Sequence, residues 1–427
     1  MAHLSNERPN ERPNRPLGPE APQPFAPRTA ARRRGDEIWR RVFHASTAVA
    51  IIALAALLLN VTNSAFGYAA VRFKHDPSTI TFEGRALPDL DRAGRIGLIR
   101  AQVPKGVVRD LDADKAIESR PDEDLEGIIE ERLTQPKVLH TWSLADSLFH
   151  SGVVRAEQQR DYPDARLEFR RWLSWRFITA PQSGKAEIAG IRTAILGSLW
   201  MIVITILFAF PVGVGAAIYL EEYADRRSRV NQLIQTNINN LAGVPSIIYG
   251  MLGLAILVRA FKPFTSGYIF GVGSGDSGRT ILSAALTLGL LVLPLLIING
   301  QEAIRAVPNS LRQASFGIGA TRWQTIYHHV LPSALPGILT GTILSISRAI
   351  GETAPIIVVG ASTLIFKDPT GPFSAFTALP IQIYQWTSRP EDVFRSIAAA
   401  AILALLILLL TLNASAVVLR HRYRVKG

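Results

Sequence analysis

Long apolar stretches without any charged residue constrain this chain more than any other feature. Residues 48–59 and 397–412 contain no charge, and each lies within a longer apolar run. A helix rises 1.5 Å per residue, so about 20 apolar residues span the roughly 30 Å hydrocarbon layer of a membrane. The sequence therefore predicts an integral membrane protein. Its spans are predicted to be helices, because these runs lack the alternation of a barrel strand.

Six spans are predicted, which makes the chain an all-α polytopic membrane protein. Pro211, with Gly213 and Gly215, predicts a kink or a helix end within the second span. Pro245 followed by Ser246 predicts a helix start or kink in the third, where a cavity could supply partners for the freed backbone groups. The approximate bounds of the spans are His44–Tyr68, Thr193–Tyr219, Leu241–Val258, Ile281–Ile298, Ala334–Val359 and Arg395–Leu419.

The spans divide the chain into four regions. Residues 1–41 form a proline-rich basic tail that is expected to be disordered, and residues 42–70 contain the first transmembrane helix. Residues 71–187 are polar, mix strand-like with helical pieces, and predict an extracytoplasmic α+β insertion. Residues 188–427 hold the other five spans, with a polar loop at residues 302–335 between the fourth and fifth.

Basic residues predict the orientation of the chain. Residues 1–41 hold nine arginines against five acidic residues, and the last eight residues hold four basic residues and no acid. Cytoplasmic flanks of spans are rich in Lys and Arg, so both termini are expected in the cytoplasm and residues 71–187 outside. A net charge of +12 is also typical of nucleic-acid-binding proteins. The basic residues flank membrane spans, however, which favours membrane lipid and no nucleic acid as the partner.

A cleaved signal peptide is the alternative interpretation of the first span. Asn63-Ser64-Ala65 could be a cleavage site, and a basic region precedes the apolar run. That basic region is long for a signal peptide, so an uncleaved anchor is favoured.

The sequence contains no catalytic or metal-binding signature. It has no cysteine, and no cluster of His and carboxylate residues has the spacing of metal ligands. Ser183-Gly184-Lys185-Ala186 comes nearest to a phosphate-cradling loop, but lacks its first glycine and its hydroxyl residue. The chain is therefore expected to be no enzyme and to need no cofactor. An ATP-driven transporter built from it would need a separate ATPase.

A spaced motif lies in the loop between the fourth and fifth spans. Its parts are Gln313-Ala314-Ser315, Gly319-Ala320 and His329-Val330-Leu331-Pro332. Small residues give a short helix a smooth face, Gly319 allows a turn between two helices, and Pro332 is expected to help end the loop. The motif resembles the coupling loop of ABC importer permeases, although Gln313, Ser315 and His329 depart from the pattern. An ordinary polar helical hairpin is the alternative.

Two further segments narrow this resemblance. They are Leu241-Ala242-Gly243-Val244-Pro245-Ser246-Ile247-Ile248 and Ser347-Arg348-Ala349-Ile350-Gly351-Glu352-Thr353-Ala354-Pro355. Both resemble signatures of phosphate-specific ABC importer permeases. The A-type of the two permease subunits is the closer match, in a long variant with an extra N-terminal region.

The resemblance implies a type I ABC importer permease fold in the bacterial cytoplasmic (inner) membrane. It also implies partners: two ATPase subunits, a second homologous permease subunit and an extracytoplasmic phosphate-binding protein. Transport would proceed by alternating access. The residues that would couple the ATPase to the spans are Gln313, Ala314, Gly319, Ala320, Leu331 and Pro332.

Arg348 and Glu352 form a charged pair in the otherwise apolar fifth span. Their spacing of four places them on one helix face, and a charge at membrane depth usually faces a cavity or a partner. A guanidinium binds two phosphate oxygens in a fork, and Glu352 could orient it or accept the proton that phosphate carries. With Thr353, the pair is predicted to line the substrate pathway near the break at Pro245 and Ser246. An ion pair that only locks the bundle is the alternative.

Two other functions stay open at this point. The same machine could carry another oxyanion such as sulfate or molybdate, although sulfate lacks the proton that a carboxylate would accept. A channel, or a membrane-anchored sensor whose extracytoplasmic domain does the work, is an alternative from a different class.

Overall fold

The computed structural model of the chain describes residues 29–225, 227–272, 277–360, 365 and 368–422. The chain separates into two compact units, Met1–Leu58 and Leu59–Gly427. Residues 1–28, most of the tail that was predicted to be disordered, lie outside the described residues. Helix α1 (Thr29–Ala65) begins within that tail, so the assignment of residues 29–41 to disorder is wrong. Proline is absent from this stretch, and its alanines and arginines are strong helix formers.

The insertion is built on the strand that follows α1 directly. This strand, β1 (Phe66–Phe73), shortens the first span, which ends at Ala65 rather than Tyr68. It is the central strand of an antiparallel three-stranded sheet with the order β4-β1-β5, which confirms an α+β insertion. The remaining elements of the insertion are β2 (Thr81–Phe82), β3 (Arg85–Ala86), α2 (Arg92–Gln102), α3 (Lys105–Asp114), α4 (Asp122–Ile129), β4 (Pro136–Thr141), α5 (Leu144–Phe149), α6 (Ser151–Asp161), β5 (Arg166–Arg171) and α7 (Trp175–Thr179).

Two apolar cores hold the insertion. Helices α2 and α4 enclose one, with Leu98, Ile99 and Leu125 fully buried. The sheet contributes Val71 and Val138 to a second core, which also contains Ile397 from the last long helix. The sheet is therefore packed against the membrane-spanning part of the same compact unit.

Five helices in the described part of the chain are long and apolar enough to cross a membrane, and a bent pair could provide a sixth span. The prediction of about six spans agrees with this arrangement. The helices that follow the insertion are α8 (Arg192–Ile218), α9 (Arg229–Ala242), α10 (Ser246–Gly253), α11 (Lys262–Thr265), α12 (Ile281–Arg305), α13 (Asn309–Gly317), α14 (Arg322–Thr325), α15 (Leu331–Gly351), α16 (Ala354–Val359), α17 (Leu379–Thr387) and α18 (Asp392–Arg422). Wider π turns extend three of them, at Tyr219–Tyr223, Leu254–Ala260 and Ile326–Val330.

The third and fifth spans differ from their predicted form. The predicted span Leu241–Val258 is the bent pair, in which Arg229–Ala242 meets Ser246–Ala260 at an angle of 105°. Helix α15, which forms the predicted fifth span, ends at Gly351 instead of continuing to Val359. A proline lies at each break. Pro245 directly precedes α10, and Pro355 is the second residue of α16. Proline lacks the N–H that a continuous helix needs and restricts the residue before it.

Two other prolines lie within helical stretches. A kink or a helix end was predicted near Pro211, and helix α8 continues through this residue to Ile218, so it does not end at Pro211. Pro332 is the second residue of α15, in the first turn where proline is tolerated, and the helical stretch from Arg322 continues through it to Gly351. The carbonyl four residues before Pro332 belongs to the π turn at Ile326–Val330, where the hydrogen bonding is already shifted.

The insertion and the polar loop lie at opposite ends of α8. At its first residue, Arg192 is 3.6 Å from the Asp124 carboxylate of α4. Beyond its other end, Glu222 is paired with Arg312 of α13. Helix α8 and the π turn that follows it, Arg192–Tyr223, comprise 32 residues and extend about 48 Å at 1.5 Å per residue, more than the membrane core. The two regions therefore lie at opposite ends of a helical segment that is long enough to cross the membrane core.

Candidate functional site

The predicted coupling residues form a helix, a tight turn and a second helix. Gly319 adopts a φ of +86°, in the left-handed region that favours glycine, so the predicted turn is confirmed. The amide of Ala320 closes the turn by donating to the Ser315 carbonyl at 3.2 Å. Thr321 and Gln324 then cap the next helix, since each side chain accepts a hydrogen bond from the backbone amide of the other.

The tip of this element exposes large apolar side chains. Ile318, beside Gly319, is 84% exposed, and the rings of Trp323 and Tyr327 stack 5.8 Å apart on the adjoining helix while remaining more than half exposed. This exposure makes the tip a candidate protein interaction surface. The sequence analysis considered only the small residues of the motif, and therefore did not identify Ile318, Trp323 and Tyr327 as candidate functional residues. The predicted residues Gln313 and Ala314 are exposed on the same element.

Leu331 and Pro332 lie away from this tip. Both are half-buried, and Leu331 packs against a cluster that includes Ile304 of α12 and Val330. The motif therefore combines a largely exposed part at residues 313–320, in which Ser315 is buried, with a part that joins the element to the spans.

Arg312 ties α13 to the end of α8. Its Nη2 lies 2.6 Å from Glu222 Oε1, and its guanidinium also donates to the carbonyls of Val307 and Ile304. Only 15% of the Arg312 side chain and 11% of the Glu222 side chain are exposed. A shielded, fully bonded ion pair of this kind is costly to break, so α13 and the end of α8 are expected to move together.

Arg348 and Glu352 lie at the end of α15, not inside a continuous span. Glu352 follows the last helical residue with extended backbone, and Thr353 precedes α16. The predicted pairing is present, with Arg348 Nε 3.4 Å from Glu352 Oε1. The arginine side chain is 53% exposed and the glutamate 19%. Within the described residues, neither terminal amino group of Arg348 has a hydrogen-bond partner, so the fork is open to a ligand.

The break after α15 lies close to the break in the bent pair. A Cβ on Gly250 of α10 would lie 2.6 Å from Pro355 Cα, so α10 and α16 are in backbone contact. The Tyr249 hydroxyl donates to the Leu241 carbonyl at 2.8 Å across the bend. Pro245 caps the N-terminus of α10 and Ser246 is its first residue. The half-helices that start after the two breaks are thus packed together, which explains why small residues occur at their contact.

An amide-lined cleft of about 540 Å³ lies between α9 and α12. Gln235 and Gln301 exchange two hydrogen bonds there, at 3.2 and 2.8 Å, and Gln301 is 5% exposed. The sequence interpretation missed α9, because its polar residues placed it outside the hydropathy-defined span. Among the described residues no group of three or more His, Asp or Glu could hold a metal ion.

Comparison with known proteins shows which family this chain resembles. Residues 189–425 match the model described as binding-protein-dependent transport system inner membrane component. The chain is 36% identical over 191 residues to the probable ABC transporter permease protein YqgI of Bacillus subtilis, which covers 45% of this chain and 60% of that relative. It is 34% identical over 232 residues to the phosphate transport system permease protein PstA 1 of Mycobacterium tuberculosis, which covers 54% of this chain and 70% of that relative.

Solved ABC transporters show a more distant similarity. A chain of the MetNI methionine ABC transporter in an inward-facing conformation has 16% identity and a TM-score of 0.39, over 56% of this chain and 96% of that chain. A chain of a bacterial ABC transporter that imports alginate has 17% identity and a TM-score of 0.42, over 66% of this chain and 92% of that chain.

Proposed function

Because this chain belongs to the family of inner membrane components of binding-protein-dependent transport systems, we propose that it forms part of the translocation path of an ATP-driven phosphate importer. It is a multi-pass, non-catalytic permease subunit, and ATP hydrolysis belongs to a separate chain. Its relatives include phosphate permeases from several bacteria, at 30–34% identity.

The open guanidinium fork of Arg348 is the observation that carries the assignment of phosphate. Arg348 is exposed at a helix break, in a stretch where it is the only basic residue between Leu331 and Val359. Two parallel N–H donors match two oxygens of a tetrahedral anion. Glu352 is close enough to orient the guanidinium, and Thr353 adds a hydroxyl at the same break. Together these three residues are our candidate substrate contacts.

The exposed tip around Ile318 supports the assignment of an ATPase partner. An apolar tip at the end of a short helix fits a groove on another protein, and the Arg312–Glu222 pair would carry its movement into α8. In the complete transporter the chain works with a pair of ATPase subunits, a second permease subunit and an extracytoplasmic phosphate-binding protein. Closure of the ATPases would rock the spans and expose the break at Arg348 to alternate sides.

Orientation gives a direct test of this arrangement. A cysteine introduced by Ser119→Cys in the insertion is expected to react with a membrane-impermeant maleimide in intact spheroplasts. The matched control, Gln313→Cys on the coupling helix, is expected to react only after the inner face is opened. Labelling is unambiguous because the chain has no cysteine of its own. The reverse pattern would overturn an extracytoplasmic insertion.

The choice of anion is tested with the reconstituted complex. ATP hydrolysis in liposomes is expected to rise when the binding protein is loaded with phosphate and to stay basal when sulfate is supplied instead. The reason is that phosphate near neutral pH carries a proton for the Glu352 carboxylate, whereas sulfate carries none. Equal stimulation by sulfate would reassign the machine to another oxyanion. Failure of any ATPase to purify with the chain would favour a channel or a sensor.

A further inference from the structure

Helix α5 of the insertion carries exposed large apolar side chains in a polar domain. Leu148 is 63% exposed and Phe149 is 80% exposed, while Val153, just after them in α6, is 56% exposed. Ser147 and Val154, in the same two helices, are buried, so both helices are well packed on their other side. The exposed group therefore belongs to a folded surface.

Backbone hydrogen bonds fix α5 to the point where the first span ends. The amide of Ala145 donates to Asn63 Oδ1 at 2.7 Å, and Asn63 lies in the last turn of α1. The amide of Tyr68 in β1 donates to Ser147 Oγ at 2.8 Å. The Tyr68 carbonyl in turn accepts from the Trp142 amide at 2.8 Å. Two bonds thus hold α5, and a third holds Trp142 just before it, at the level of the span's end.

The exposed side chains share a groove with Leu59, the last residue of the uninterrupted apolar run 48–59. Leu59 is 69% exposed. It lies four residues before Asn63, which is about 6 Å along the helix. The groove, of about 370 Å³, is lined by Leu59, Asn60, Thr62, Asn63, Leu144, Ala145, Leu148 and Phe149.

We infer that α5 is a membrane anchor, and that Leu148 and Phe149 enter the outer leaflet of the lipid bilayer at the level of Leu59. Continuity with Leu59 argues for lipid, since a residue of the hydrocarbon-spanning stretch already lies in the same groove. The polar residues of α5 suit the headgroup layer: Asp146 Oδ2 accepts from Ser143 Oγ at 2.6 Å at the helix start. An interfacial helix buries its apolar face at this depth while its polar groups stay at the surface.

A single-cysteine label tests this anchor in the assembled transporter. Phe149→Cys and, separately, Leu148→Cys are labelled with the fluorophore NBD, and the complex is placed in phosphatidylethanolamine–phosphatidylglycerol vesicles. Some vesicles also contain phosphatidylcholine with a nitroxide near the top of its acyl chain. Gln159→Cys is the matched control, because it is an exposed polar site on the neighbouring helix α6.

Both apolar sites are expected to lose fluorescence in nitroxide vesicles and to emit at shorter wavelength than the control. The Gln159→Cys label is expected to respond only to iodide in the water. Quenching of the Phe149→Cys and Leu148→Cys labels by iodide alone would overturn the anchor, because α5 would then face water. Protection from both quenchers would also overturn it, and would assign the patch to another protein subunit.

Discussion

Replacing Arg348 by glutamine is expected to lower phosphate uptake by about two orders of magnitude or more, with the complex still assembled. Hydrogen bonds to a charged group contribute about 1.5–3 kcal/mol each. Loss of a two-bond fork would therefore cost about 3–6 kcal/mol, where about 1.4 kcal/mol corresponds to tenfold. Arg348 is half-exposed at a helix end, so replacing its side chain disrupts few packing contacts. Uptake of labelled phosphate and co-purification of the ATPase are the two measurements.

Arg348→Lys is the matched control for charge. Lysine keeps the positive charge but offers a single compact ammonium instead of a planar fork. Uptake by this variant is expected to fall between that of the wild-type chain and that of Arg348→Gln. Equal activity of the lysine and wild-type chains would mean that only the charge matters, and the fork would lose its role.

The double substitution Arg348→Gln with Glu352→Gln separates transport from structure. If the two side chains only neutralise each other, removing both leaves no charge without a partner, and uptake should largely return. We expect the double variant to stay inactive. The pair is a single contact of 3.4 Å with a half-exposed arginine, and exposed pairs contribute about 0–1 kcal/mol to stability. Near wild-type uptake by the double variant would reduce the break at Glu352 to a structural role.

Sequence patterns predicted the membrane helices because burial in lipid leaves a plain compositional mark. Charge-free stretches such as 397–412 must lie in hydrocarbon, and their helices follow from the need to bond every backbone group internally. The turn at Gly319 was equally accessible, since a glycine between two helical patterns favours a left-handed residue. These predictions depend on properties of single segments.

Breaks inside apolar runs were harder to predict, because hydropathy does not register them. The run from Ala334 to Val359 has no charged residue except Arg348 and Glu352, yet the helix stops at Gly351. A signal was present in Pro355, whose missing N–H and restricted neighbour disfavour an unbroken helix. Pro211, with the same intrinsic handicap, lies inside α8. Tertiary packing decides whether a proline breaks the helix, as near Pro355, or lies within it, as at Pro211. Local sequence rules do not contain information about this packing.

Contacts between distant segments could not be predicted at all. Arg312 and Glu222 are 90 residues apart, and neither stood out in the sequence because both read as solvated charges on polar loops. Gln235 and Gln301 likewise pair across 66 residues. The coupling motif was recognised by its small residues, whereas the exposed Ile318 and Trp323 needed the fold to show that they face outward.

Gly319→Asp is expected to abolish ATP-driven phosphate uptake while the subunit remains in the membrane. A Cβ at Gly319 would meet no atom of the described residues within 4 Å, so aspartate fits the chain itself. The strain of a side chain at a φ of +86° is about 1–2 kcal/mol, too little to unfold the protein. The carboxylate would, however, sit beside Ile318 on the tip that we propose docks on the ATPase. Burying an unpaired charge there costs several kcal/mol.

Gly319→Asn is the control that isolates the charge. Asparagine has nearly the shape of aspartate and tolerates the left-handed region as well, so backbone strain is matched. We expect this variant to keep most of the uptake and of the phosphate-stimulated ATP hydrolysis that the aspartate variant loses. Equal loss by both variants would assign the effect to the backbone of the turn. Normal transport by Gly319→Asp would show that the tip meets no partner surface, and the coupling role of residues 313–320 would have to be abandoned.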